Sequence, residues 1–174
     1  DKTLVGTATF TVEDSEIQSL PQVPEKNAYT GEWESYTLTA KNLKIYAVYT
    51  PITYSITYVD EKNATNPNAT SYNIETNTFA LSDLSVNGYS FDGWYVGTEK
   101  ITEIAKGSYG NKEFTAKWSL TTYEINYSNC KNAVNDNPKS YNIETETFTV
   151  FDLSLEGYDF DGWYIGTEKV TRIE

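Results

Sequence analysis

Two long stretches of this chain are near-copies of each other. Shifting the sequence by 69 residues aligns Tyr54–Ile104 with Tyr123–Ile173, and 32 of those 51 positions are identical. The clearest shared phrase is Gly88-Tyr89-Ser90-Phe91-Asp92-Gly93-Trp94-Tyr95, which returns as Gly157-Tyr158-Asp159-Phe160-Asp161-Gly162-Trp163-Tyr164. A repeat this faithful makes the chain an array of one small supersecondary unit, each copy holding only a marginal core of its own. Such an array points to a spacer or a binding surface before it points to an enzyme.

Within each copy the hydrophobic spacing is that of strands. Tyr54, Ile56 and Tyr58 alternate with Ser55 and Thr57, as Tyr123, Ile125 and Tyr127 do later. An Asn-rich turn stretch follows (60–71 and 129–140), and then a second strand over Tyr72–Thr76 and Phe79. Leu81–Val86 is the one segment expected to form a short helix, with Gly88 ending it. Phe91–Val96 reads as a third strand, and Gly93 inside it predicts a bulge or a close contact. Phe114, Ala116 and Trp118 alternate again as the last strand. Ile56 and Phe91, with Ile125 and Phe160, are the expected core residues.

Three repeats are expected: 1–51 as a diverged repeat without its opening strand, 52–118 as a complete one, and 119–174 as one without its last strand. In 1–51, Ile45, Ala47 and Tyr49 mirror Phe114, Ala116 and Trp118. The junctions at Thr50-Pro51 and Ser119–Thr122 are too short for flexible tethers, which limits rotation between copies. A sheet without one strand leaves open backbone edges, so the expectation is either partly disordered terminal repeats or, the favoured alternative, edge-strand association with a neighbouring molecule.

Charge and residue content exclude several functions. A net charge of −12 argues against nucleic-acid ligands and against docking to anionic lipid. The 26 aromatic residues (15 Tyr, 7 Phe, 4 Trp) supply the core of an otherwise polar chain. Cys130 is the only cysteine, so no internal disulfide exists. No apolar run approaches membrane-spanning length. With neither an initiator Met nor a signal peptide, the chain is expected to be a section of a larger secreted protein.

The absence of histidine removes Ser–His–Asp and Cys–His catalysis and histidine-bearing zinc sites. Asp92 and Asp161, and Asp83 and Asp152, were they paired, would resemble glycosidase carboxylates, but an active site is rarely duplicated intact in adjacent small repeats. No catalytic residue, metal site or cofactor is therefore expected. Asp60, Asn63 and Asn66 are oxygen donors in a turn-rich loop, but without a calcium-binding spacing. Trp94, Tyr95, Trp163 and Tyr164 are candidate stacking platforms for a ligand. The competing reading is packing, because neighbours on a strand point to opposite faces.

The phrase Gly-Tyr-x-Phe-x-Gly-Trp-Tyr, preceded by Tyr-x-Ile-x-Tyr and closed by Ala-Lys-Trp, resembles the Listeria–Bacteroides repeat, the B-repeat of internalin-type surface proteins. The resemblance covers most of 52–118 and 121–174, and 1–51 more loosely. It implies an α+β fold of tandem small β-grasp (ubiquitin-like) units, mostly strand with one short helix each. It also implies an extracellular, bacterial cell-surface location, a stalk or adhesive role without catalysis, and partners among host or neighbouring-cell proteins or glycans. The loop 60–71 departs from the family in being longer and richer in Asn.

Overall fold

The computed structural model describes residues 6–11, 13, 14, 16, 17 and 19–174. The opening residues of the first expected repeat, with 12, 15 and 18, lie outside them. Among the described residues there are fifteen strands and no helix. The chain gathers into two compact units. One comprises the described residues of Asp1–Asp60 with Asn66–Ser82 and Trp94–Thr115; the other comprises Glu61–Thr65, Asp83–Gly93 and Ala116–Glu174.

The first copy contributes β1 (Tyr29–Trp33) and β2 (Ala47–Pro51), paired antiparallel with Tyr29 opposite Pro51. The middle copy contributes β3 (Tyr54–Val59), β4 (Ser71–Tyr72), β5 (Phe79–Ala80), β6 (Tyr89–Val96), β7 (Glu99–Ile101), β8 (Glu103–Ile104) and β9 (Lys112–Leu120). Five of these form one mixed sheet in the order β4-β3-β9-β6-β7, in which β3 and β9 run parallel. The third copy contributes β10 (Tyr123–Glu124), β11 (Ser140–Tyr141), β12 (Phe148–Thr149), β13 (Trp163–Ile165), β14 (Glu168–Val170) and β15 (Arg172–Ile173). Its registers reproduce those of the middle copy 69 residues on. Tyr123 faces Tyr141 as Tyr54 faces Tyr72, Phe148 faces Ile173 as Phe79 faces Ile104, and Trp163 faces Val170 as Trp94 faces Ile101.

The core of the first unit is built from the alternating positions. Ile56, Tyr72, Leu81, Trp94, Ile104 and Phe114 are buried, and Trp94 and Phe114 are each 1% exposed. Tyr58 stacks between them, its centroid 4.8 Å from the Trp94 ring and 6.0 Å from Phe114. Ile56 is thus in the core as expected. Phe91 is only half-buried; its ring meets Trp118 edge-on at 4.9 Å. Buried parity along β6 shifts at Gly93, whose φ of 128° no side-chain-bearing residue adopts readily.

The expected α+β, β-grasp class with one helix per repeat is corrected to an all-strand fold. Leu81 and Leu84 are buried three residues apart, a spacing that mimics a helical turn. The backbone between them is instead held by side chains. Asn68, fourteen residues upstream, accepts from the Ser82 N–H at 2.6 Å and donates to the Ser82 carbonyl at 3.0 Å. Trp94 Nε1 donates to that same carbonyl at 2.9 Å. Six residues cannot offset helix nucleation when their polar groups are already satisfied in another geometry. The third copy repeats the clamp with Asn137 on both polar groups of Phe151 and Trp163 Nε1 on its carbonyl.

Asn137 is the buried polar residue of this clamp, 4% exposed. Replacing it by alanine leaves the Phe151 N–H without its acceptor and should destabilise the fold by about 1 to 3 kcal/mol. Urea unfolding of Asn137→Ala against the parent measures this; an unchanged midpoint would show that the clamp is dispensable.

The second expected strand is shorter than its pattern implied. It stops at Tyr72, because the Asn73 side chain accepts from the N–H groups of Glu75 and Thr76 at 2.9 and 3.1 Å and turns the chain. Asn142 turns the third copy in the same way before Glu144.

Candidate functional site: the joint between successive copies

A feature that recurs along the chain is the joint between one copy and the next. At the first joint, Tyr29 Oη donates to Glu75 Oε1 at 2.8 Å; at the second, Tyr89 Oη donates to Glu144 Oε1 at 2.7 Å. Beside each, a backbone bond closes the junction, Ile52 N–H to the Ala28 carbonyl and Thr121 N–H to the Gly88 carbonyl, both 2.9 Å. The joint tyrosines also pack alike: Tyr29 meets Tyr49 at 6.4 Å and Tyr89 meets Trp118 at 6.5 Å, both edge-on. A lysine covers each ring, Lys26 at 3.6 Å from Tyr29 and Lys62 at 4.1 Å from Tyr89.

Local sequence explains this construction. The residue before each tyrosine sits at positive φ, 64° at Ala28 and 81° at Gly88, which turns its carbonyl toward the next copy. The Asn73 and Asn142 turns present Glu75 and Glu144 on the other side. Gly88 is also a close-approach glycine: an added Cβ would lie 2.7 Å from Ile143 Cβ, the residue before Glu144.

The joint carries a titration. The hydrogen bond to Glu75 raises the Tyr29 phenol above its usual value near 10, and that to Glu144 does the same for Tyr89, desolvation and carboxylate charge adding to each. A raised phenol pKa means that the neutral form is the one favoured in the folded state. Its contribution is therefore complete below pH 10 and is lost as the pH rises through the raised value. Thermal melts between pH 9 and about 11.5 should show the parent losing more stability than Tyr89→Phe, which has no such bond to lose. Parallel decline in both proteins would contradict this.

The residues singled out from the sequence fall elsewhere. Trp94 is in the core with its indole N–H spent on Ser82, so neither ring face is open to a ligand. Tyr95 lies half-exposed on the opposite side of β6. Trp163 is half-buried against Tyr127 and Phe160, at 4.8 and 5.2 Å. Tyr164 is 47% exposed and donates to Asp161 at 2.8 Å. The structure does not gather these four into one site. Of the carboxylates, Asp92 accepts from Ser119 at 2.7 Å and Asp161 holds Tyr164. Asn66 serves turn chemistry, accepting from the N–H and side-chain amide of Asn68.

No family model, curated protein or solved structure matches the chain. Among the described residues no three acidic or cysteine side chains converge as metal ligands, and no helix is long and apolar enough to cross a membrane. The joint glutamates escaped the sequence reading, since an exposed Glu in a polar turn looks like a solvated residue. The one available signal was the unchanged Asn-Ile-Glu-Thr at Asn73–Thr76 and Asn142–Thr145.

Proposed function

We propose that this chain is a non-catalytic tandem-repeat module of a bacterial cell-surface protein, acting as a stalk or spacer that can carry adhesion. The observation that supports it most is the joint. Two successive junctions use the same phenol–carboxylate bond, an equivalent backbone bond and an edge-on contact of the tyrosine with a second aromatic ring. A spacer needs junctions that hold one geometry from copy to copy, whereas a catalytic or small-ligand protein has no need to repeat them. The resemblance of the Gly-Tyr…Gly-Trp-Tyr phrase to the Listeria–Bacteroides repeat supports the surface assignment.

Spin labels at Ser85 and Glu146, in a Cys130→Ser background, flank the second joint. Their distance distribution in solution should be narrow. A broad distribution in the folded protein would remove the basis for a spacer role.

A second reading, recognition of a glycan or host protein through exposed aromatics, has Tyr164 and Tyr158 in its favour, 47% and 60% exposed. A glycan array probed with the parent and with Tyr164→Ala separates it: signal lost with the tyrosine supports binding, and a blank array with the parent leaves the spacer alone.

A further inference from the structure

The same two-residue turn occurs in all three copies, in three chemical forms. Asn27-Ala28, Asn87-Gly88 and Glu156-Gly157 stand immediately before Tyr29, Tyr89 and Tyr158. A backbone bond closes each turn: Tyr29 N–H to the Lys26 carbonyl at 3.1 Å, Tyr89 N–H to the Val86 carbonyl at 3.2 Å, and Tyr158 N–H to the Leu155 carbonyl at 3.1 Å. The second residue of each pair is at positive φ, 64°, 81° and 79°. The first residue of each is exposed. Backbone and exposure are alike, and the side chains differ.

That difference governs one reaction. An Asn side chain can close a succinimide ring with the backbone nitrogen of the residue after it. A Glu offers only a larger ring and an ionised carboxylate, which is a poor electrophile. A Cβ on the following residue crowds the attacking nitrogen and restricts its backbone, and glycine has none. Asn87-Gly88 is the one Asn-Gly pair in the chain. Its reacting groups are uncommitted: the exposed Asn87 carboxamide makes no hydrogen bond to a described residue, and the Gly88 N–H donates to none. Asp92 and Asp161 also precede glycines, but their carboxylates are ionised and held by Ser119 and Tyr164.

We infer that Asn87 is a self-modification site that converts to isoaspartate and loosens the second joint. The Gly88 nitrogen attacks Asn87 Cγ. The bond from Cγ to the side-chain nitrogen breaks, and that nitrogen leaves as ammonia with the proton from Gly88. Water then opens the succinimide. Addition at Cγ leaves an ordinary backbone with aspartate in place of Asn87; addition at the backbone carbonyl leaves isoaspartate, whose main chain runs through Cβ and Cγ. Water is the only co-reactant, and nothing is oxidised. Isoaspartate lengthens the main chain by one carbon directly before Gly88. Gly88 is buried, lies so close to Ile143 that a Cβ would fall 2.7 Å away, and accepts the Thr121 N–H at 2.9 Å. Displacing it draws its carbonyl from Thr121 and carries Tyr89 away from Glu144. The first joint, on Asn27-Ala28, is protected by the alanine methyl. This inference rests on the chemistry of the turn and stands or falls separately from the spacer reading.

The full chain is incubated in mildly alkaline buffer at physiological temperature beside a free peptide of Ser85–Ser90, which sets the time scale. Peptide mapping reads deamidation by mass, and an isoaspartate methyltransferase with a labelled methyl donor reads the isomer. The Asn87 fragment is expected to shift to the acid mass and to accept methyl label, while the Asn27 fragment stays amidated. Amide exchange at Thr121 should be faster in the aged protein than in the fresh one, with Ile52, its counterpart in the first joint, unchanged. Asn87→Glu places the added charge on an ordinary backbone and should keep slow exchange at Thr121 throughout. An Asn87 still amidated in the folded chain when the peptide has converted would overturn the inference, as would equal conversion at Asn27. So would conversion that leaves Thr121 exchange unchanged, or an Asn87→Glu protein that exchanges as fast as the aged parent.

Discussion

Replacing Trp94 by alanine is expected to cost about 3 to 5 kcal/mol, enough to unfold the middle repeat. The indole is 1% exposed, packs against Tyr58 at 4.8 Å, and satisfies the Ser82 carbonyl. Alanine would remove one of the two most fully buried large side chains, leave a cavity beside Tyr58, and take one donor from the backbone that Asn68 clamps. Trp163→Ala removes the same groups from the third copy, but from a half-buried site, and should cost less by at least ~1 kcal/mol. Guanidinium unfolding followed by circular dichroism measures both. Equal losses would mean that the two tryptophans are equally enclosed in solution, against the difference in burial between the copies.

The same tryptophans show which parts of the fold were legible in the sequence. Alternation alone placed Ile56 on the buried face and set Trp94 and Tyr95 on opposite sides, because the side-chain period of a strand is local. The 69-residue shift implied one element order for both copies, and the registers of the third copy do match those of the middle one. What failed was non-local. Leu81–Val86 has helical spacing, and the residue that decides against a helix, Asn68, lies fourteen positions away in an Asn-rich turn where any one Asn looks like another. Tyr72–Thr76 has a strand-like composition, and the Asn73 side chain ends it. Phe91 was expected in the core and is half-buried, since the shift in parity at Gly93 reassigns the inward positions of β6. The joint was illegible for a different reason: neither Tyr89 nor Glu144 is unusual alone, and nothing local in either sequence signals a bond spanning 55 residues.

The joint can be tested through its glycine. Gly88→Val is expected to destabilise the protein by about 3 to 5 kcal/mol, and Gly157→Val by about 1 to 3 kcal/mol. The two glycines have nearly the same backbone, φ 81° and 79°, so a β-branched residue meets the same left-handed strain at both. They differ in what lies beyond the backbone. At Gly88 a Cβ alone would fall 2.7 to 2.9 Å from Ile143 atoms, whereas at Gly157 nothing lies within 4 Å. Ala28, buried at φ 64° at the corresponding place in the first joint, shows that a joint of this design can be built around one methyl. Valine adds two more carbons, which the second joint must take by moving Ile143 and, with it, the turn that presents Glu144 to Tyr89. The excess cost at Gly88 over Gly157 therefore measures how tightly the copies are held together. It should be accompanied by broadening of the Ser85–Glu146 label distances in Gly88→Val and by none in Gly157→Val. If the two substitutions cost the same and leave the distances alike, the close approach of Ile143 contributes nothing to the joint, and the stiffness a spacer needs would have to come from elsewhere in the chain.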